Sequence, residues 1–229
     1  MPQTTVADRL AQLQKRIAAA AESCDRDPTQ VRLIAVSKTK PVEAILAAHQ
    51  AGQRAFGENY LQEALEKIQA LAELPLEWHF IGRLQSNKTR PIASHFHWVH
   101  TLADLKHARR LDAQRPEGLP PLQVCIQVNI SGEASKGGIP PDELPELAAE
   151  VAKLPRLHLR GLMTMPPKGS TEQEQRRIFS TLRRLLDELR AQGLALDQLS
   201  MGMSGDLETA ICEGATMVRI GTALFGSRT

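Results

Sequence analysis

The strongest constraint on the fold is a regular alternation of short apolar segments with longer segments of helical periodicity. Eight short segments have the length and apolar content of buried strands, and they cover residues 33–37, 54–57, 78–82, 97–101, 124–129, 159–164, 198–202 and 217–221. The predicted helices between them cover residues 41–51, 58–73, 86–94, 103–114, 141–153, 171–192 and 207–213. Strands that alternate strictly with helices form a parallel sheet.

Eight strand-helix units favour a closed TIM-type (β/α)8 barrel over an open doubly wound sheet. The open sheet predicts a glycine-rich phosphate-binding turn after its first strand, and the turn that begins at Ser37 contains no glycine. We therefore predict an α/β barrel that forms a single domain over residues 1–229. Residues 1–25 are predicted to add an N-terminal helix that packs on the barrel, with Thr5 and Asp8 as its capping pair.

Charge and composition argue against several classes of binding protein. The chain has 28 Lys and Arg against 26 Asp and Glu, a net charge of +2, and 3% aromatic residues. No nucleic-acid partner and no membrane surface are expected, because neither a basic patch nor a stacking platform is indicated. The first helix contains Asp8, Arg9, Lys15 and Arg16, which argues against a signal peptide or a membrane span.

The cysteines predict a reducing compartment. Cys24, Cys125 and Cys212 are far apart in the sequence and form no C-x-x-C pair. We therefore expect a cytoplasmic protein with free thiols, no disulfide and no metal site.

The first predicted strand leads to Lys38, which strand alternation places on the same face as Ile34 and Val36. Pro41 follows and is suited to open a helix. An ammonium at the end of a buried strand is desolvated, and desolvation favours the neutral, nucleophilic amine that a Schiff base requires. A solvated loop lysine is the alternative at this point.

Two glycine-containing turns follow the last two predicted strands, where barrels of this type commonly bind phosphate. Residues 201–206 form the end of strand seven with the turn after it, and residues 219–222 form the end of strand eight. Backbone N–H groups of these turns and the hydroxyls of Ser204 and Thr222 are expected to form an anion site. Asp206 is assigned as the N-cap of the next helix, since a carboxylate aimed at a phosphate would repel it. Ordinary glycine turns are the alternative.

Arg219 is predicted to point into the barrel, because alternation turns Val218 and Ile220 toward the helices. A guanidinium keeps its charge and needs partners there, so the alternative to a ligand contact is an ion pair with a carboxylate in the lumen. His79 on strand three and Gln127 on strand five are also expected in the upper lumen, each as a ligand contact or as a hydrogen-bonded core residue.

A lysine after strand one, an anion site after strands seven and eight and an inward arginine together describe a pocket for pyridoxal 5'-phosphate (PLP). Strands one and eight are neighbours in a closed barrel, so one small ligand reaches both the amine and the anion site. The motifs that carry a family resemblance are Ala35-Val36-Ser37-Lys38-Thr39-Lys40-Pro41, Phe56-Gly57-Glu58-Asn59, Trp78-His79-Phe80-Ile81-Gly82, Gly161-Leu162-Met163, Met201-Gly202-Met203-Ser204 and Arg219-Ile220-Gly221-Thr222. With these motifs in this order, the chain resembles the pyridoxal phosphate homeostasis proteins, which are relatives of the barrel domain of bacterial alanine racemase.

The resemblance assigns the following residues to the cofactor: Lys38, Asn59, His79, Met203, Ser204, Arg219, Gly221 and Thr222. It implies that Lys38 holds PLP covalently as a Schiff base, that the last two turns hold the phosphate, and that Arg219 faces the pyridine nitrogen. Lys136, in the segment 135–138, is a candidate transient acceptor of the aldehyde. The expected partners are PLP and the PLP-dependent apoenzymes that receive it, and the expected state is a monomer.

The expected function is a non-catalytic carrier or regulator of PLP in vitamin B6 homeostasis. An arginine beside the pyridine nitrogen leaves that nitrogen unprotonated and weakens the cofactor as an electron sink. Racemisation needs an acid or base on each face of the substrate, and with Tyr60 as the one tyrosine no second base is evident. A weak amino-acid racemase that uses Lys38 with water or His79 is the enzymatic alternative. A lyase or aldolase that uses Lys38 on a sugar phosphate is the third.

Overall fold

Eight parallel strands form a closed barrel in the computed structural model, which describes residues 4–133 and 136–226. The strands are β1 (Arg32–Val36), β2 (Ala55–Glu58), β3 (Glu77–Phe80), β4 (Trp98–Leu102), β5 (Leu122–Gln127), β6 (Leu157–Met163), β7 (Gln198–Ser200) and β8 (Met217–Ile220). Each strand pairs with the next in the chain, and β1 pairs with β8 so that Ile34 lies beside Arg219. The predicted closed barrel is confirmed.

Helices surround the barrel and follow each strand. They are α1 (Val6–Glu22), α2 (Val42–Gln50), α3 (Leu61–Ala70), α4 (Thr89–His95), α5 (Leu105–Gln114), α6 (Leu144–Val151), α7 (Glu172–Ala191), α8 (Leu207–Cys212) and α9 (Thr222–Phe225). Short 3-10 helices cover Pro28–Gln30 and Pro141–Glu143. Helix α9 was not predicted, because a single turn is too short to show periodicity. No helix within the described residues has the length and apolar content needed to cross a bilayer.

The predicted N-terminal helix is present and packs against α8 and α9. It begins at a capping box in which the Thr5 hydroxyl accepts the Asp8 N–H and the Asp8 carboxylate accepts the Thr5 N–H. Helix α1 thus covers the side of the barrel where the last strand meets the first.

Alternate residues of the strands divide between two apolar clusters. The larger cluster lies between the strands and the helices and includes Val218 and Ile220. The smaller one fills the lumen with Ile34, Ala55, Trp98, Cys125, Met163 and Met217. Because Met217 belongs to the lumen cluster, the alternation predicted for β8 holds, and Arg219 shares its inward face.

Cys24 and Cys212 form a disulfide, which corrects the expectation that all three cysteines are free thiols. Cys24 follows α1 and Cys212 ends α8, and their Cα atoms are 5.3 Å apart, within the usual range for bonded cysteines. The pairing depends on the packing of α1 against α8, which spacing along the sequence does not show. Cys125 is a free thiol buried in the lumen.

Candidate functional site

A cavity of about 340 Å³ opens at the carboxyl ends of the strands. It is lined by Val36, Lys38, Asn59, Ile81, Met163, Met165, Met203, Ser204, Gly205, Arg219, Gly221 and Thr222. All the site residues predicted from the sequence line this cavity except His79. Residues from β1, β6 and β8 and from the segments that follow β1, β2, β3, β6, β7 and β8 therefore meet at one place.

Lys38 lies in the turn between β1 and α2, two residues after Val36. It is half-buried and lines the cavity together with Val36, whereas Ser37 between them is fully buried on the side of the helices. The structure thus places Lys38 beside a cavity rather than in an open, solvated loop.

Glycines bring the last two turns close to the rest of the barrel. Gly202 has a φ of +100°, and a Cβ there would lie 2.7 Å from the Cβ of Ala210. At Gly221 a Cβ would lie 3.3 Å from the carbonyl oxygen of Val36. The backbone of the last turn therefore approaches the end of β1, next to the turn that carries Lys38.

Asp206 occupies the N-cap position of α8, as predicted, but its side chain makes no capping hydrogen bond. Instead its Oδ1 accepts the backbone N–H of Met203 at 2.5 Å. Burial raises the pKa of the Asp206 carboxyl, while the Met203 N–H and the charge of Arg219 act in the opposite direction. Asp206 thus closes the turn that carries Ser204 instead of capping the helix.

Arg219 enters the cavity from β8 and is 5% exposed. It donates hydrogen bonds to Ser200 Oγ at 2.6 Å and to the carbonyl oxygen of Thr164 at 3.1 Å. Both acceptors are neutral, and no ion pair of Arg219 is found among the described residues, so the predicted alternative of a lumen ion pair is not what the structure shows. Burial lowers the pKa of the guanidinium to about 10, which leaves it charged near neutral pH.

A chain of buried hydrogen bonds runs from Arg219 down the lumen. Ser200 Oγ lies 2.7 Å from His100 Nδ1, and His100 Nε2 lies 2.9 Å from His79 Nδ1. His79 Nε2 is 2.6 Å from Glu77 Oε1, in a bent geometry that leaves both atoms without a linear hydrogen bond. Glu77 in turn pairs with Arg32 at 2.8 Å, at the opposite end of the barrel from the cavity.

The two ends of this chain set the direction of every hydrogen bond. Arg219 can only donate, and a Glu77 carboxylate can only accept. Two neutral imidazoles agree with both ends when each carries its proton on Nε2. Ser200 then donates to His100, His100 donates to His79, and the remaining N–H of His79 lies on the side of the Glu77 carboxylate.

The pKa shifts agree with neutral His79 and His100 side chains next to a charged Glu77 carboxylate. Burial lowers the pKa of His79 to about 4, against the effect of Glu77, and burial also lowers the pKa of His100. Burial alone would raise the pKa of Glu77, but the contacts with His79 and Arg32 outweigh it and lower that pKa to about 2.

His79 is therefore separated from the cavity by His100, Ser200 and Arg219 along this chain. Its place in the lumen agrees with the sequence prediction, whereas His100 and Ser200 were not among the predicted site residues. Strand alternation could have identified His100, because it shares a face of β4 with Trp98, and Ser200 is a polar residue at the end of β7. Among the described residues, no three His, Cys, Asp or Glu side chains are arranged to hold a metal ion.

A second cavity of about 560 Å³ adjoins the first and shares Asn59, Ile81 and Met165 with it. Lys136 and Gln127 line this second cavity, and the Gln127 amide donates to the carbonyl oxygen of Gly137 at 2.8 Å. Lys136, the candidate acceptor of the aldehyde predicted within segment 135–138, thus lies over the same face of the barrel. Ser135, which precedes Lys136 in that prediction, lies outside the described residues.

Comparisons with known proteins agree with this arrangement. Residues 9–229 match the family model described as alanine racemase, N-terminal domain. The chain is 60% identical over 225 residues to a pyridoxal phosphate homeostasis protein of Pseudomonas aeruginosa, covering 98% of this chain and 96% of that protein.

Two solved structures of PipY from Synechococcus elongatus are also similar. The structure with PLP bound has a TM-score of 0.86 at 40% identity, and the structure without PLP has a TM-score of 0.88 at 41% identity. Each match covers 97% of this chain and 100% of the PipY chain. The family resemblance predicted from the motifs is confirmed, and the chain belongs to the family of the alanine racemase N-terminal domain, together with the pyridoxal phosphate homeostasis proteins.

Proposed function

We propose that this protein binds PLP through Lys38 and acts in vitamin B6 homeostasis as a carrier or regulator rather than as an enzyme. The observation that carries the proposal is the convergence of Lys38, Arg219 and the turns after β7 and β8 on one cavity of about 340 Å³. The name of the 60% identical relative and the PLP bound to PipY support it.

The lining residues fit the parts of PLP. The hydroxyls of Ser204 and Thr222 and the backbone of Gly221 offer hydrogen-bond donors to a phosphate. Arg219, which only donates, suits an unprotonated pyridine nitrogen. Asn59 Oδ1 is buried without a hydrogen-bond partner in the described part of the chain, which leaves an acceptor for a donor of the ligand.

When bound, PLP supplies an aldehyde that condenses with an amine to form one C=N bond and release one water, a step that hydrolysis reverses. Lys38 is the amine that lines the cavity. Its attachment to the turn after β1 holds it across from the phosphate-binding turns. Reversible capture of this kind suits a protein that stores or delivers a reactive aldehyde.

The ionisable groups of the cavity favour binding over catalysis. Of the described lining residues, only Lys38 and Arg219 carry ionisable side chains, and an arginine is a poor base. Tyr60 is 53% exposed and His79 is fully buried, and neither lines the cavity. A reaction that moves protons on both faces of a substrate would lack its second group.

Absorbance tests the covalent proposal. Addition of PLP is expected to give a near-visible band that Lys38→Ala abolishes and Lys40→Ala, a change of the neighbouring lysine, retains. Borohydride reduction followed by peptide mass spectrometry should place the label on Lys38. A band of normal size in Lys38→Ala would refute the attachment.

A weak amino-acid racemase that uses Lys38 with water is the second candidate, favoured by the match to the alanine racemase family. Incubation with alanine or serine in deuterium oxide separates the two functions. The carrier predicts no exchange at the α-carbon above the rate of free PLP, and exchange at catalytic rates would defeat it.

The remaining parts of the proposal are a monomeric state, a cytoplasmic location and delivery to PLP-dependent apoenzymes. The Cys24–Cys212 disulfide removes the argument from free thiols, so the location rests on the proposed role in vitamin B6 homeostasis. Light scattering tests the first, and cell fractionation tests the second. For the third, the loaded protein should reactivate an apoenzyme faster than the free PLP released from it allows, and equal rates would argue against delivery.

A further inference from the structure

A buried cluster of charges lies behind β1 and β2, on the side that faces α3. Glu58 and Lys67 form an ion pair at 2.8 Å with side chains that are 0% and 5% exposed. Lys67 Nζ also contacts Glu63 Oε1, one turn earlier in α3, at 2.5 Å. Removal of such charges from water is unfavourable, and an apolar pair of similar size often serves stability equally well.

The cluster is not fully hydrogen-bonded, which argues against stabilisation of the fold as its sole role. Glu58 Oε2 is buried without a hydrogen-bond partner in the described part of the chain. Burial raises the pKa of Glu58, although the hydrogen bonds from Lys67 and Ser37 act in the opposite direction. The role of the cluster is therefore to be sought in the backbone groups that it contacts.

The cluster forms hydrogen bonds with the peptide groups on both sides of Lys38. Lys67 Nζ donates to the carbonyl oxygen of Ser37 at 2.8 Å, in the peptide that precedes Lys38. Glu63 Oε1 accepts the N–H of Thr39 at 2.6 Å, in the peptide that follows it. The Ser37 hydroxyl adds a bond to Glu58 Oε1 at 2.6 Å. The backbone of Lys38 is thus fixed from behind while its side chain lines the cavity.

The conformation of Thr39 shows why the turn needs this support. Thr39 has a φ of +62°, in the left-handed region that β-branched residues rarely adopt. The hydrogen bond from its N–H to Glu63 holds the turn in that conformation. Without the bond, an extended backbone at Thr39 would redirect Lys38.

We propose that Glu58, Glu63 and Lys67 are positioning residues that aim the Lys38 amine at the aldehyde of PLP, an inference that rests on the proposed function. None of the three side chains lines the cavity. Their effect is therefore expected on the covalent step and not on recognition of the phosphate or the ring.

A pair of ligands separates these contributions. Pyridoxine 5'-phosphate has the ring and phosphate of PLP but a hydroxymethyl group in place of the aldehyde, so it reports binding without the covalent step. Glu63→Ala is expected to weaken PLP binding about tenfold, the effect of one charge-assisted hydrogen bond, and to leave the affinity for pyridoxine 5'-phosphate unchanged. The near-visible band at a fixed PLP concentration should fall accordingly.

Two further variants serve as a rescue and as a control. Glu63→Gln keeps an oxygen that can accept the Thr39 N–H and should restore most of the PLP affinity. Glu66→Ala changes an exposed glutamate on the outer face of the same helix and should bind both ligands like the wild type. If Glu63→Ala does not fold, Glu58→Gln combined with Lys67→Met removes the buried ion pair and the bond to Ser37 and leaves only the partly exposed Glu63 charged. The same split between the ligands is expected.

Equal weakening of both ligands in these variants would overturn the inference and show a merely structural role, and so would wild-type affinity for both. A wild-type protein that shows no near-visible band with PLP would instead refute the proposed function. The two failures are thus distinguishable in one set of titrations.

Discussion

Replacement of Ser200 by alanine tests the hydrogen-bonded chain that supports Arg219. Ser200 is fully buried, accepts from Arg219 at 2.6 Å and donates to His100 at 2.7 Å. Ser200→Ala deletes both bonds and leaves a buried guanidinium N–H and a buried imidazole nitrogen without this partner. Loss of a bond to a charged group and of a neutral bond should together lower the free energy of unfolding by about 3 kcal/mol.

Thermal melting of the protein without PLP measures this change. For a chain of this length, about 3 kcal/mol corresponds to a lowering of Tm by roughly 6–12 °C. Ser94→Ala is the matched control, because Ser94 donates only to the carbonyl oxygen of Arg90 on an exposed helix face and its loss should change stability by less than about 0.5 kcal/mol. If the two variants melted within about 2 °C of each other, the hydrogen bonds of Ser200 would contribute nothing measurable to stability, and the support of Arg219 by Ser200 would be refuted.

Three further predictions test other parts of the structure. Gly161→Ala should lower the free energy of unfolding by about 3 kcal/mol or more in denaturant titrations, because its Cβ would lie 1.8 Å from Gln198 O, whereas Gly205→Ala, with no atom within 4 Å, should unfold like the wild type. Acidification from pH 6.5 to pH 4 should lower the free energy of unfolding by up to about 3 kcal/mol. Burial lowers the pKa of His79 to about 4, so over this range the unfolded chain binds more protons than the folded one. Denaturant midpoints that do not change over this range would contradict the prediction. Lys136→Ala should slow uptake and release of PLP in stopped-flow measurements without changing its equilibrium affinity, since Lys136 lines the cavity next to that of Lys38, and unchanged rates would remove its role as an acceptor.

The parts of the site that the sequence predicts are those that depend on neighbouring residues of the chain. Strand alternation predicts the positions of Lys38 and Arg219, and the glycines after the last two strands predict the turns that line the cavity with them. These features depend on a few consecutive residues and on the symmetry of a closed barrel. The residues that support them were not predicted, because Lys67 reaches the turn at Ser37 from helix α3 and Ser200 meets His100 across the lumen.

The sequence by itself determined the closed barrel, since eight alternating units permit few other arrangements, and it determined which side chains face the lumen, since that follows from a period of two. Only the tertiary structure decided that His79 lies below the cavity, that Asp206 closes a turn and that Cys24 meets Cys212. The physical reason is that periodicity reports the face a residue occupies, whereas contacts depend on the height of that residue along its strand and on how the helices pack.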